Sequence, residues 1–173
     1  MKKFWIQVAA LTIWSFAFLI PSLVRGTNIV TNTFTEGTMR FWSGGSPYLP
    51  SVAADVFHYS PLFAYLYKPF TLLSGSAHAL IWGFLNVFVF WLGVSVWFRL
   101  SKATPKVIWV ALAFCAIELD ITQRYQQINA LLVGVVLLSL HLYKKERYEI
   151  AALIISFITN IKLLPIIFLF LLC

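Results

Sequence analysis

From Ala77 to Phe98 the chain carries no Asp, Glu, Lys or Arg. That run is long enough to cross a bilayer as one helix, which takes ~20 predominantly apolar residues at ~1.5 Å of rise each. A soluble domain could bury one such helix, but the rest of the chain offers little polar surface to bury it with. Of the 173 residues 61% are hydrophobic and only 11% are charged, and mean hydropathy is +0.86. Soluble domains are about 25% charged. The same arithmetic excludes disorder, collagen and a small disulfide-stapled fold. The sequence therefore reads as an all-α polytopic membrane protein.

Further apolar runs set the expected layout, a single transmembrane domain over residues 1–173. Spans are expected at about 4–24, 77–98, 107–119, 128–143 and 150–172, five to six in all. The first follows Lys2 and Lys3, is longer than a signal-peptide core and has no small-x-small cleavage site after it, so it reads as an anchored helix. Residues 25–58, rich in Gly, Pro, Thr and Asn, read as a long outer loop. Residues 61–73 are too short to span; with Tyr59, Tyr65 and Tyr67 at hand they read as an interface helix. Lys162 and Pro165 interrupt the last run, which suggests a sixth span begun within it and a chain incomplete at its C-terminus.

The net charge of +7 would suit nucleic acid, but topology accounts for it. With the N-terminus in the cytoplasm, eight of the 13 basic residues fall in short inside segments, as the positive-inside rule requires. Nucleic acid is not an expected partner. The outer side then collects Glu36, Asp55, Glu118 and Asp120 together with Arg25, Arg40, Lys68, Arg124 and Lys162. Three polar groups stand out there. Asp55, His58 and Lys68 flank the interface helix. Gln123 to Asn129 read as a polar turn between two helices, with Arg124, Gln126 and Gln127 in it, and Asn129 opens an apolar run that leucine would suit as well. Lys162 sits within the last apolar stretch, either snorkelling or meeting a lipid phosphate, with Arg124 and Lys68 as further cations. Trp82 and Asn86, four apart, share a helix face and read as interhelical packing and hydrogen bonding. His78 and His141 read as ordinary interfacial residues. The histidines are too far apart for a metal signature, and the motifs of soluble phosphate-binding and hydrolytic enzymes are missing.

The order of these pieces carries a resemblance. The loop ends Gly44-Gly45-Ser46-Pro47-Tyr48, the interface helix opens Tyr59-Ser60-Pro61, Gln127-Ile128-Asn129 opens a leucine-rich run, and Lys162-Leu163-Leu164-Pro165 follows. The chain resembles the N-terminal half of the polytopic glycosyltransferases of family 87, which have the GT-C fold and are similar to polyprenyl-phosphate-mannose-dependent mannosyltransferases. In those the corresponding motifs are Gly-x-x-x-Tyr, Tyr-Pro-Pro, Gly-Gln-x-Asn and Lys-x-x-Pro. Here Ser60 replaces a proline and Gln126 stands where the glycine is usual.

The resemblance implies a GT-C-like helical bundle in the plasma (inner) membrane with its active face periplasmic or extracellular. It implies a hexosyltransferase moving a hexose, by family mannose, from a polyprenyl-phosphate-sugar to a lipid or glycan acceptor, with no metal or other cofactor. A carboxylate would deprotonate the acceptor hydroxyl. The family places an Asp near the start of the outer loop, around Val30 here, but no Asp precedes Asp55. Asp55 is therefore the first candidate for the base and Glu36 the second. Tyr59, Lys68, Arg124, Gln127, Asn129 and Lys162 are the candidate substrate-binding residues, the cations meeting the leaving phosphate. The same outer-face charges would serve a transporter or flippase-like protein, or remain in a non-catalytic membrane scaffold descended from the enzymes.

Overall fold

The computed structural model describes residues 2–15, 29–49, 55–73, 75–100, 104–162 and 165. Among them the regular structure is entirely helical. The helices are α1 (Lys2–Ser15), α2 (Ile29–Trp42), α3 (Pro61–Tyr67), α4 (Gly75–Leu100), α5 (Pro105–Tyr125), α6 (Asn129–Lys144) and α7 (Tyr148–Ile161), with a 3₁₀ turn at Lys68–Leu72 after α3. Within α4, Gly75–Arg99 is long and apolar enough to cross a membrane, while α6 and α7 are shorter apolar helices.

The centre of the fold is the α4–α6 pair. Two glycines set its spacing. A Cβ on Gly93 would collide with the backbone of Gly134, and one on Gly134 would collide with the backbone of Val89 and Phe90. Small residues let helix backbones approach this closely where apolar side chains alone give little driving force. α7 packs on α6, and α1 packs on α4, where Trp91 Nε1 donates to Ser15 Oγ at 2.6 Å. Large apolar side chains also face outward: Ile81, Phe84, Phe114, Ile117, Leu153 and Phe157 are all exposed.

Four boundaries differ from the sequence expectation. Residues 29–42, inside the stretch expected to be an outer loop, form helix α2. Its composition hides the helix, because Thr and Asn favour caps and turns. Packing overrides that preference: Phe34 is buried among aromatic rings, and Thr33 bonds its hydroxyl to Ile29 O at 2.7 Å. The expected 61–73 helix changes to 3₁₀ at Lys68, where Pro69 supplies no N–H. The expected 107–119 span continues helically to Tyr125, so the polar Glu118–Tyr125 stretch is two more turns of α5. In the 150–172 run, α7 ends at Ile161 and Lys162 is extended at φ −145°, ψ 130°. The rest of that run, apart from Pro165, and residues 16–24 of the first lie outside the described residues.

Candidate active site

The site is built around the turn from α5 to α6. Helix α5 ends at Gln126, a left-handed residue with φ 51° and ψ 36°. This is the position where the resemblance expects glycine, and the backbone supplies the reason: only glycine adopts this conformation without steric cost. Gln126 adopts it regardless, and its side chain is buried with neither amide atom hydrogen-bonded.

Two residues of α4 hold the turn. Trp82 Nε1 donates to Gln126 O at 2.9 Å. One helical turn later, Asn86 Oδ1 accepts the Leu131 N–H at 3.3 Å, while its own Nδ2 donates to Trp82 O at 2.9 Å. Asn86 thus caps the first turn of α6 from another helix, satisfying one of the donors that every helix start leaves over. Both side chains are buried. Their role is to fix where α6 begins, and so where Asn129 stands.

Asn129 is the hub. Its Nδ2 donates to Gln127 Oε1 at 2.8 Å, and its Oδ1 accepts from Lys162 Nζ at 2.8 Å. The ammonium lies 5.8 Å from the centroid of the Tyr59 ring. Burial holds the Tyr59 phenol neutral by raising its pKa. Lys162 follows directly on the C-terminus of α7, whose dipole favours a cation, and it faces the N-terminus of α6, whose dipole favours an anion. A fixed ammonium, an oriented amide and a helix N-terminus converge on one spot.

That spot is the mouth of a groove. A cavity of about 310 Å³ is lined by Asn129, Lys162 and Glu118 at its polar part, and then by Leu132, Val136 and Leu140 along one face of α6. From Asn129 to Leu140 the stripe runs about 16 Å at the helical rise. On the opposite face of α6 lies a larger groove of about 580 Å³, lined by apolar and aromatic side chains including Phe63, Trp82, Leu131 and Ile158.

Of the residues singled out from sequence, Tyr59, Gln127, Asn129 and Lys162 are brought together. The other two cations have different neighbours. Lys68 Nζ lies 3.4 Å from Met39 Sδ and 5.7 Å from the Trp42 ring centroid, at the end of α2. Arg124 pairs with Asp120 at 2.9 Å along α5. Asp55 is exposed at the start of the segment that leads to Tyr59; its carboxylate accepts the Val56 N–H at 2.7 Å and its own N–H donates to Thr33 Oγ1 at 2.9 Å. Glu36 pairs with Arg40 at 3.4 Å on α2 and lines a separate pocket. Two residues were named from sequence without a place in the site. Glu118, one of the outer-side carboxylates, shares the groove with Lys162. His78 is buried, not interfacial, and is hydrogen-bonded through Nε2 to the Tyr67 hydroxyl.

The sequence model of glycosyltransferase family 87 matches residues 57–173, two thirds of the chain. The chain belongs to this family. No curated protein and no solved structure gives a significant match. Family 87 members are membrane enzymes, which suits α4 and the outward-facing apolar side chains. The match to family 87 contains the whole Tyr59–Gln127–Asn129–Lys162 cluster and the α4 residues behind it. It begins after both Glu36 and Asp55. The cluster thus lies in the shared part of the family, and the two candidate carboxylates lie outside the matched segment.

Proposed function

We propose that this chain is an inverting hexosyltransferase that moves mannose from a polyprenyl-phosphate-sugar to a lipid or glycan acceptor. The bundle sits in the plasma membrane as several spans, with the N-terminus cytoplasmic and the Asn129–Lys162 end on the outer face. The observation that carries the reading is the ammonium of Lys162, fixed by Asn129 at the mouth of an apolar groove. A charged head joined to a long apolar tail is the ligand such a site fits. The donor phosphate meets Lys162, which has two N–H groups left beyond the one given to Asn129, and the N-terminus of α6. The prenyl chain lies along Leu132, Val136 and Leu140.

The chemistry follows from that placement. The acceptor oxygen loses its proton to a carboxylate, attacks the sugar C1 from the face opposite the phosphate, and the C1–O bond to phosphate breaks. Polyprenyl phosphate leaves with one more negative charge than it had as a diester. Lys162 stabilises that charge as it develops, which is where a preorganised cation is most effective. Asp55 is the proposed base, carried on the segment that ends at Tyr59. In a membrane-inserted preparation, Asp55→Asn should abolish mannose transfer from polyprenyl-phosphate-mannose and Lys162→Ala should lower it by about 10²–10³-fold, neither changing the amount of inserted protein. Transfer unchanged in both variants would remove this assignment.

A further inference from the structure

A second polar pocket lies between α2, the 3₁₀ turn and the start of α4, at the edge of the aromatic core. Asn32, Thr35 and Glu36 present one face of α2 to it, at the i, i+3, i+4 spacing that aligns side chains. Thr71 of the 3₁₀ turn and the buried His78 of α4 close it from the other side, and Phe70 adds a ring. The His78 position is fixed by its hydrogen bond to the Tyr67 hydroxyl. Glu36 is held by Arg40 at 3.4 Å and keeps about a third of its side chain open to solvent. The cavity measures about 150 Å³, the share of roughly five water molecules at ~30 Å³ each.

These groups select a ligand class. The wall combines a carboxylate, an amide, two hydroxyls and an imidazole, so it both donates and accepts hydrogen bonds around an aromatic face. Its lining holds no lysine or arginine to meet an anion, and Glu36 already has its cation in Arg40. The size excludes a prenyl chain or a drug-sized molecule, which takes at least ~300 Å³. A neutral ring carrying several hydroxyls fits all three constraints. We propose that this pocket binds a single monosaccharide ring, a neighbour in the glycan acceptor of the ring that is glycosylated. The pocket as a sugar site stands on its geometry alone; its identity as the acceptor's site rests on the transferase reading above. Helix α2 joins it to the Lys162 cluster, since Phe34 of α2 packs on Tyr59 at 5.0 Å, and Tyr59 faces Lys162.

The test is saturation-transfer NMR of methyl α-mannopyranoside with the full chain in a detergent that has no sugar headgroup. Glu36→Gln exchanges a charge-assisted hydrogen bond for a neutral one and should weaken binding about tenfold. Thr35→Val should weaken it comparably, while Thr35→Ser, which keeps the hydroxyl, should bind as the parent does. Lys162→Ala should leave glycoside binding intact. A parent chain that binds no glycoside, or folded Glu36→Gln and Thr35→Val chains that bind it as well as the parent, would overturn the proposal. Glycoside binding that meets these expectations in a chain with no transferase activity would leave the sugar pocket standing and remove the transferase reading. Active transfer with an unchanged acceptor KM in Glu36→Gln would do the reverse.

Discussion

Lys162 and Asn129 are 33 residues apart, and the ammonium of one donates a 2.8 Å hydrogen bond to the side-chain carbonyl of the other. This bond ties the residue after α7 to the first residue of α6, so that a cation stands at a helix N-terminus. Removing either partner separates the two effects. Lys162→Ala removes the charge and should lower transfer by about 10²–10³-fold, the scale of losing one preorganised donor at a developing negative charge. Asn129→Leu keeps the charge and frees it to move, so transfer should fall less and Lys162→Arg should retain part of the activity. Rates of labelled-sugar transfer for the three variants check the order.

Asn86 predicts a stability effect rather than a chemical one. Asn86→Leu leaves the part-buried Leu131 N–H without its cap, while the Trp82 carbonyl keeps the backbone N–H of residue 86 in its own helix. The expected cost is ~1–3 kcal/mol for the one stranded donor. Thermal unfolding in detergent should show a lowered midpoint, and at temperatures well below it the acceptor KM should be unchanged.

Gln126→Gly should act in the opposite direction. It removes a left-handed residue that pays ~1–2 kcal/mol for its Cβ and a buried amide with no hydrogen bond. The glycine variant is expected to melt higher, with Trp82 still bonded to the carbonyl of residue 126. A lower midpoint would mean that the buried amide has a partner that offsets its strain.

The α4–α6 crossing predicts the largest single-site loss. Gly134→Leu would drive a side chain into the backbone of Val89 and Phe90. Overpacking of this kind costs ~1–3 kcal/mol even where side chains can yield, and here backbone must move. Gly134→Leu should be recovered in much lower yield than Gly44→Ala. Gly44 has open space around its Cβ position and only a positive φ of 80° to pay for.

The sequence already carried much of this. Long apolar runs located α4 and α6, and the spacing of Trp82 and Asn86 placed them on one face toward another helix. The order of short motifs led to the family that residues 57–173 match. What it could not carry was anything decided by packing between distant segments. Helix α2 was hidden because its threonines and asparagine favour loops until Phe34 is buried. The polar tail of α5 looked like a turn because Asp120 and Arg124 are soluble-looking residues that pair along a helix. The pairing of Asn129 with Lys162, and Glu118 beside them, depends on how three helices meet. Lys68, a candidate cation for the phosphate, lies against Met39 and Trp42, because α3 itself packs on α2.

The most direct measurement follows radiolabel from polyprenyl-phosphate-mannose into a lipid acceptor, using the full product of this reading frame, purified and compared with its Lys162→Ala variant. Label should pass to the acceptor with one polyprenyl phosphate released per sugar transferred, and the variant should be slower by at least about a hundredfold. Equal rates in the two proteins, or a parent protein that leaves all label on the donor, would contradict a site in which Lys162 meets the leaving phosphate.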